Sequence, residues 1–493
     1  MANRLATLVT ALSIAVLTGC NLIPPTAPAE INTRLGAEGR VRQFFLSPLS
    51  SGTLTLGSGR NLLFAVSSGA GTSRAESFRI QGASEPDASH LADPHGRFRE
   101  SSRAIAAEAA FEPRFHLQDV EPPPKPSDPP RAFWVNTGNS LLSGDRQQTA
   151  KLVGQPTANA YFFVDTASTL HGDPTYMQTK VAELAAAFES VIYPRVTQAF
   201  GAPPSPGIDG DPRIYVVISP AVDNFGKDAG LMGYFWSRDL YAPQTGHVRE
   251  HSNQKEVIFL TDQIFKQKPW TTFGTLAHEF THLVIYNQKV LAPNRTTPEE
   301  TWLDEGLAML SMDLCGYGLR NGNDEVARDI DRFQSAPEKY SLTDWFRNPS
   351  GFSYGLSYLF TRYLYDRYSD SMIRDLIRSP QVGVTGVEQA LGPRGGTFED
   401  IFSDWTIANA ISGLKLTKDP RYSYASEINL RGKYGEIQLK GIQPRPITGP
   451  SDVTGPTRSW GTAYYLLSSG QERSWTMDVR PGLGMFGGTV VLP

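Results

Sequence analysis

Three short apolar runs have the length and residue types of buried strands: Ala160–Asp165, Arg213–Ser219 and Glu256–Thr261. Tyr176–Phe200, between the first two, reads as a long helix. After Pro269 the apolar period becomes helical, with Phe273, Leu276, Phe280, Leu283 and Val284 falling mostly on one side. Pro269, with Thr271 or Thr272 as cap, marks the start of that helix. A second helix is predicted to begin at Thr297-Pro298-Glu299-Glu300. There Thr297 and Glu300 match a capping box, and Pro298 suits the first helical position. Leu303, Leu307, Leu310 and Leu314 supply its apolar stripe. Strands first and helices later predict an α+β unit over residues 133–415.

On either side the pattern shortens. Residues 41–82 hold brief strand-like runs at Phe44–Leu46, Thr53–Leu56, Asn61–Val66 and Ser77–Ile80, separated by turn clusters, and read as a small β domain. Residues 83–132 are polar and rich in proline, a linker with one short helix near Ile105–Phe111. Residues 416–493 return to β segments (Glu436–Leu439, Ala463–Leu467, Ser474–Val479) and read as a C-terminal β domain.

The N-terminal 19 residues have the layout of a signal peptide. Arg4 is followed by an apolar run to Leu17 that is shorter than the roughly 20 residues a bilayer span needs. The run ends Leu17-Thr18-Gly19-Cys20, which resembles the bacterial lipoprotein box. That resemblance implies acylation of Cys20, with residues 20–40 as a tether and the chain anchored to a membrane of the cell envelope, facing outward. Asn21 after the lipidated position implies outer-membrane delivery where the cell has one.

Composition narrows the function. A net charge of −4 lacks the basic excess of a nucleic-acid binder. Only two cysteines, Cys20 and Cys315, exclude a disulfide framework, and Cys315 reads as an inert core thiol.

Chemistry concentrates in Leu276-Ala277-His278-Glu279-Phe280-Thr281-His282-Leu283-Val284. Histidines four apart lie about 40° apart around a helix, so both imidazoles leave one face. Neutral imidazole is a good zinc ligand, and Glu279 is placed to take a proton from an activated water. A catalytic zinc needs a third protein ligand, and Glu305 on the second helix can supply it.

Trp302-Leu303-Asp304-Glu305-Gly306-Leu307-Ala308 resembles the W-L-N-E-G-x-A segment of gluzincin zinc peptidases, including the alanyl aminopeptidase family. The resemblance implies that Glu305 is the third ligand of a Zn2+ ion; it lies 23 residues after His282, in the gluzincin range. Within the gluzincins the chain most resembles the hyicolysin family of bacterial neutral metallopeptidases. The resemblance runs through Gly233–Asp239, Leu276–Tyr286, Trp302–Ala308 and Tyr354–Phe360, and covers residues 133–412. It implies a mixed sheet plus zinc-binding helices, hydrolysis of protein or peptide substrates, and a tyrosine or histidine that stabilises the oxyanion. Tyr354 is the candidate for that role and Tyr358 the second.

Two positions depart from the pattern. Asp304 stands where asparagine is common, and Met309 stands where thermolysin-type enzymes carry an aspartate. The group that orients a zinc histidine is therefore unassigned. The absence of a G-A-M-E-N-like segment favours an endopeptidase.

Two other readings stay open. Gly351-Phe352-Ser353-Tyr354-Gly355 matches G-x-S-x-G, which would make Ser353 a hydrolase nucleophile if a buried strand preceded it. A membrane-anchored binding lipoprotein with a non-catalytic metal site is the non-enzyme alternative. Gly482–Gly487 matches G-x-G-x-x-G without room for a following helix, and Asp209-Gly210-Asp211, whose acids could touch calcium, reads rather as a turn before the Arg213 strand.

Overall fold

The computed structural model describes residues 41–46, 51–56, 61–68, 94–108, 122–137, 144–225, 231–348, 353–425, 428–447, 459–468, 473–478 and 485–492. The signal peptide, Cys20 and the tether lie outside them.

Val41–Leu46 (β1), Ser51–Leu56 (β2) and Asn61–Ser68 (β3) precede a helix at Pro94–Glu108 (α1). This helix begins well before the stretch near Ile105 where sequence placed one. Its buried face runs through Phe98, Ser102, Ile105 and Ala106, and the buried serine masks the apolar period.

The next strands are Arg131–Asn136 (β4), Asp145–Leu152 (β5) and Ala160–Asp165 (β6). Helices Pro174–Ala187 (α2) and Tyr193–Phe200 (α3) follow, joined by a π-helical turn. Ile214–Ile218 (β7), Gly233–Phe235 (β8) and Val257–Leu260 (β9) complete a six-stranded sheet. Its order is β4-β5-β6-β7-β9-β8, with β6, β7 and β9 parallel and the other pairs antiparallel. Successive side chains alternate faces. Phe162, Val164, Val216, Ile218, Ile258, Leu260 and Phe235 join the main core with the helices. Tyr161, Phe163, Tyr215, Val217, Tyr234 and Phe259 form a second core on the opposite face. Burial on both faces explains why β6 and β7 read as unbroken apolar runs.

The helical half comprises Pro269–Tyr286 (α4), Thr301–Leu314 (α5), Asp324–Ser335 (α6), Ser353–Arg378 (α7), Gly383–Leu391 (α8) and Phe398–Ile411 (α9). The chain is mixed α+β, as its pattern predicted. Both helix starts differ in detail. At α4 the cap is Lys268 with no side-chain hydrogen bond, and Thr272 donates instead to the Ile264 carbonyl at 2.6 Å. At α5 the Thr297–Glu300 capping box does not form, because the helix starts at Thr301. Glu299 is buried as a partner of Lys289 (2.9 Å) and accepts from the Gly383 amide (2.7 Å), which draws residues 297–300 out of helical geometry.

α5 lies tightly on α7. A Cβ on Gly306 would come within 2.8 Å of the Ser357 carbonyl, so only glycine permits this approach. The Thr361 hydroxyl donates to the Gly306 carbonyl at 2.7 Å, and Arg362 pairs with the buried Asp313 at 2.6 Å. Cys315, just beyond α5, is a buried free thiol that burial pushes up to about 12.

The remaining strands are Lys433–Tyr434 (β10), Ile437–Gln438 (β11), Arg445–Ile447 (β12), Thr462–Ser468 (β13), Arg473–Asp478 (β14) and Met485–Leu492 (β15). The stretches 41–82 and 416–493, separate in the sequence reading, share one sheet of order β1-β15-β3-β13-β12. β14 pairs with β2. The first three residues of β15 are the last three of the Gly482–Gly487 motif. No helix among the described residues is long and apolar enough to cross a membrane.

Candidate metal centre

α4 carries the two histidines into the middle of the protein. Every residue from Leu276 to Tyr286 is buried, and Phe280 on the far face packs against Phe188 and Tyr193. His278 and His282 leave the other face one turn apart, with ring centroids 4.7 Å apart and planes at 79°. α5 crosses here and delivers Glu305, which is fully buried.

Three atoms converge. His278 Nε2 lies 3.1 Å from His282 Nε2 and 3.2 Å from Glu305 Oε2, and His282 Nε2 lies 3.4 Å from that same oxygen. A tetrahedral ion bound at about 2.0–2.1 Å needs donors roughly 3.3 Å apart, so the three atoms fit one face of its coordination sphere. His278, His282 and Glu305 form a group able to hold a metal ion. The electrostatics suit a ligand at two of the three donors, Glu305 and His278, and oppose it at His282. Burial alone would raise the Glu305 carboxyl, but His282, His278 and Arg99 around it hold it well below the carboxylate range. Burial depresses the His278 imidazole, favouring the neutral form a ligand needs. His282 is opposed by burial and by Arg99, yet Asp304 and Glu305 raise it to about 9.

Around this centre stand three further groups, Asp304, Glu279 and Arg99, of which the sequence pattern had not singled out Arg99. Asp304 Oδ2 lies 3.0 Å from His282 Nδ1, the ring nitrogen facing away from the convergent atoms. Asp304 therefore stands where a carboxylate that orients a ligand histidine would stand. Its signal was present in the sequence, as an acid where related motifs carry an amide. Glu279 is buried beside the centre, and its Oε2 accepts from the Phe235 amide of β8 at 2.9 Å. Arg99 of α1 reaches the same place. Its Nε lies 3.4 Å from both Glu305 Oε1 and Asp304 Oδ2, and its Nη2 lies 3.7 Å from Glu279 Oε2. Burial opposes its charge, but the three carboxylates outweigh that and keep the guanidinium cationic.

The structure brings together His278, Glu279, His282 and Glu305. Tyr354 sits in the first turn of α7 with its ring edge-on to Trp345, centroids 4.9 Å apart. Tyr358 is fully buried between α5 and α7, where burial and the acids Asp313 and Asp366 raise its phenol well above the usual range. Ser353 is the first residue of α7, buried, and accepts from Asn348 Nδ2 at 3.0 Å. The nearest described element before it is the 3-10 turn Trp345–Arg347, which is not the strand a nucleophile elbow requires. Asp209 and Asp211 are spent on the turn: Asp209 Oδ1 accepts from the Asp211 amide, and Asp211 holds Tyr161 and Arg213.

A buried His-His-Glu group on two packed helices, with a glutamate between the histidines and an edge strand alongside, has the make-up of a metal-binding site. The chain is similar to the neutral metalloprotease ShpI of Staphylococcus hyicus. Identity is 26% over 285 residues, which cover 55% of this chain and 60% of that relative. The chain thus spans about three fifths of the relative's length. No family model matches. Site and similarity together support a metallopeptidase.

Proposed function

We propose that this chain is a zinc-dependent endopeptidase of the gluzincin type. The observation that carries the reading is the convergence of His278 Nε2, His282 Nε2 and Glu305 Oε2 within 3.1–3.4 Å, with Glu279 beside them. Two imidazoles and one carboxylate are a zinc donor set that leaves a coordination position for reaction. When bound, the ion supplies Lewis-acid polarisation of the scissile carbonyl and makes a water acidic enough to lose its proton near neutral pH.

The chain's own groups do the rest. Glu279, oriented by the Phe235 amide, accepts the water's proton and passes it to the leaving amine. Asp304 fixes the His282 ring so that its other nitrogen faces the ion. β8 is the last strand of its sheet, pairing with β9 on one side. An extended peptide adding to its outer edge would lie along the metal centre, which favours protein substrates in extended form. Tyr354 is proposed as the oxyanion donor on its local sequence match. The second reading, a hydrolase using Ser353, lacks the strand that would aim the serine.

The deciding experiment is casein hydrolysis by a soluble form starting after Cys20, run beside a Glu279→Gln twin with equal zinc content. Cleavage by the first and not the second supports the reading. Equal cleavage by both removes Glu279 as the base and sinks it.

We also propose that Cys20 is acylated and anchors the chain to the cell envelope, from the Leu17-Thr18-Gly19-Cys20 box. Fatty-acid labelling that persists in Cys20→Ser would refute this.

A further inference from the structure

α1 precedes every element of the metal centre in the chain, yet two adjacent residues of it grip β8 from both sides. Phe98 is fully buried on one face of the sheet, its ring 4.8 Å from that of Tyr234 and 4.9 Å from that of Trp236. Arg99 passes to the other face. Its Nη1 donates to the Phe235 carbonyl at 3.4 Å, and its guanidinium stands among Glu279, Asp304 and Glu305. Two hydroxyls secure the helix: Ser101 Oγ accepts from Trp236 Nε1 at 2.9 Å, and Ser102 Oγ accepts from the Ser237 hydroxyl at 2.7 Å. Ile105 and Ala106 add apolar burial in the main core.

Each contact removes something a peptidase would use. The Phe235 carbonyl lies on the outer edge of β8, where an extended peptide would pair, and Arg99 takes it. The Arg99 guanidinium also stands 3.7 Å from Glu279 Oε2, in the space beside that carboxylate. Arg99 Nε approaches Glu305 through Oε1, whereas Oε2 faces the two imidazoles, so docking leaves the ligand set intact. Helices do cover sheet edges simply to protect them. That purpose needs no arginine buried among three carboxylates.

The geometry points to α1 as an inhibitor built into the chain: docked, it fills the substrate edge of β8 and sets a guanidinium against Glu279, so the protein is latent until α1 leaves. This rests on the peptidase reading above. Because α1 belongs to the same chain, its effective concentration is on the order of millimolar, and a small set of contacts suffices to hold it.

The test uses the zinc-loaded full chain with Arg99→Ala and, separately, Phe98→Ala, each verified by circular dichroism and zinc content. Phe98 docks the helix on the opposite face from the carboxylates, so its variant loosens α1 without altering their charge balance. One readout is cleavage of a fluorogenic peptide. The other is calorimetric binding of a short peptide hydroxamate in a Glu279→Gln background, which requires no turnover. Both variants should cleave, and bind the hydroxamate, roughly tenfold or more better than the parent. Equal rates and affinities in parent and variants overturn the inhibitor. So does a fall in kcat confined to Arg99→Ala, which would make Arg99 part of the catalytic apparatus. If no zinc-loaded form cleaves or binds hydroxamate, the peptidase reading falls and the inhibitor with it.

Discussion

Asp304 Oδ2 stands 3.0 Å from Nδ1 of His282, on the side of the ring opposite the convergent Nε2. A carboxylate in that place fixes the tautomer and the plane of a ligand histidine. Asp304→Ala should weaken zinc affinity by roughly 10–100-fold. Asp304→Asn, which keeps a hydrogen-bonding group without the charge, should lose less. Zinc release to a chromogenic chelator measures both. Equal release from wild type and Asp304→Ala would remove Asp304 from the metal centre.

Glu279 and Glu305 should separate cleanly. Glu305→Ala removes a ligand oxygen, and the purified protein should contain little zinc. Glu279→Gln should keep full zinc and still lose peptide hydrolysis by about 10²–10⁴-fold. Metal analysis beside a peptidase assay reads the pair. The assignment fails if the two variants behave alike.

Gly306→Ala should destabilise the fold. The added methyl would meet the Ser357 carbonyl at 2.8 Å and Thr361 Cγ2 at 2.9 Å, both in the helix behind α5. Overpacking of this kind costs roughly 1–3 kcal/mol, visible as a lower urea midpoint. Because Gly306 adjoins Glu305, zinc affinity should fall with it. An unchanged midpoint would show that α5 and α7 separate freely.

Glu256 gives the protein a pH dependence. It is fully buried, its Oε1 accepts from the Ile208 amide at 2.7 Å, and burial pushes its carboxyl up to about 8. Above the unfolded value near 4.5, the unfolded chain releases this proton while the folded chain keeps it. The stability Glu256 contributes is therefore complete below about pH 4.5 and declines until about pH 8, by on the order of a few kcal/mol. Glu256→Gln should show a growing advantage over wild type across that window and a constant one above it. Parallel denaturation curves from pH 5 to 8 would contradict this.

The two-histidine motif was legible because its geometry is local. Histidines four apart share a face of any helix, and the helix itself was announced by its apolar period. Glu305 was legible through spacing and resemblance. Asp304 was visible as an unusual residue, but its partner depends on how α5 crosses α4, which no local pattern states. Arg99 was not legible at all. It lies 206 residues before Glu305, in a stretch whose polar composition read as linker, and its burial follows from carboxylates that only the fold assembles. The helix starts failed for a related reason. Glu299 and Thr272 have good local roles available, and distant partners took them instead. The pairing of strands from opposite ends of the chain was equally hidden, since strand periodicity carries no address.

That pairing has a further consequence. β3 is an inner strand, hydrogen-bonded to β13 on one side and β15 on the other, so the first described segments are stitched to the last. A nick between α1 and β4 would yield two bands on a denaturing gel but a single particle in solution. Its front piece would stay leashed through β3, returning α1 to the cleft again and again. Lasting release of that helix calls for two cuts, one on each side of it.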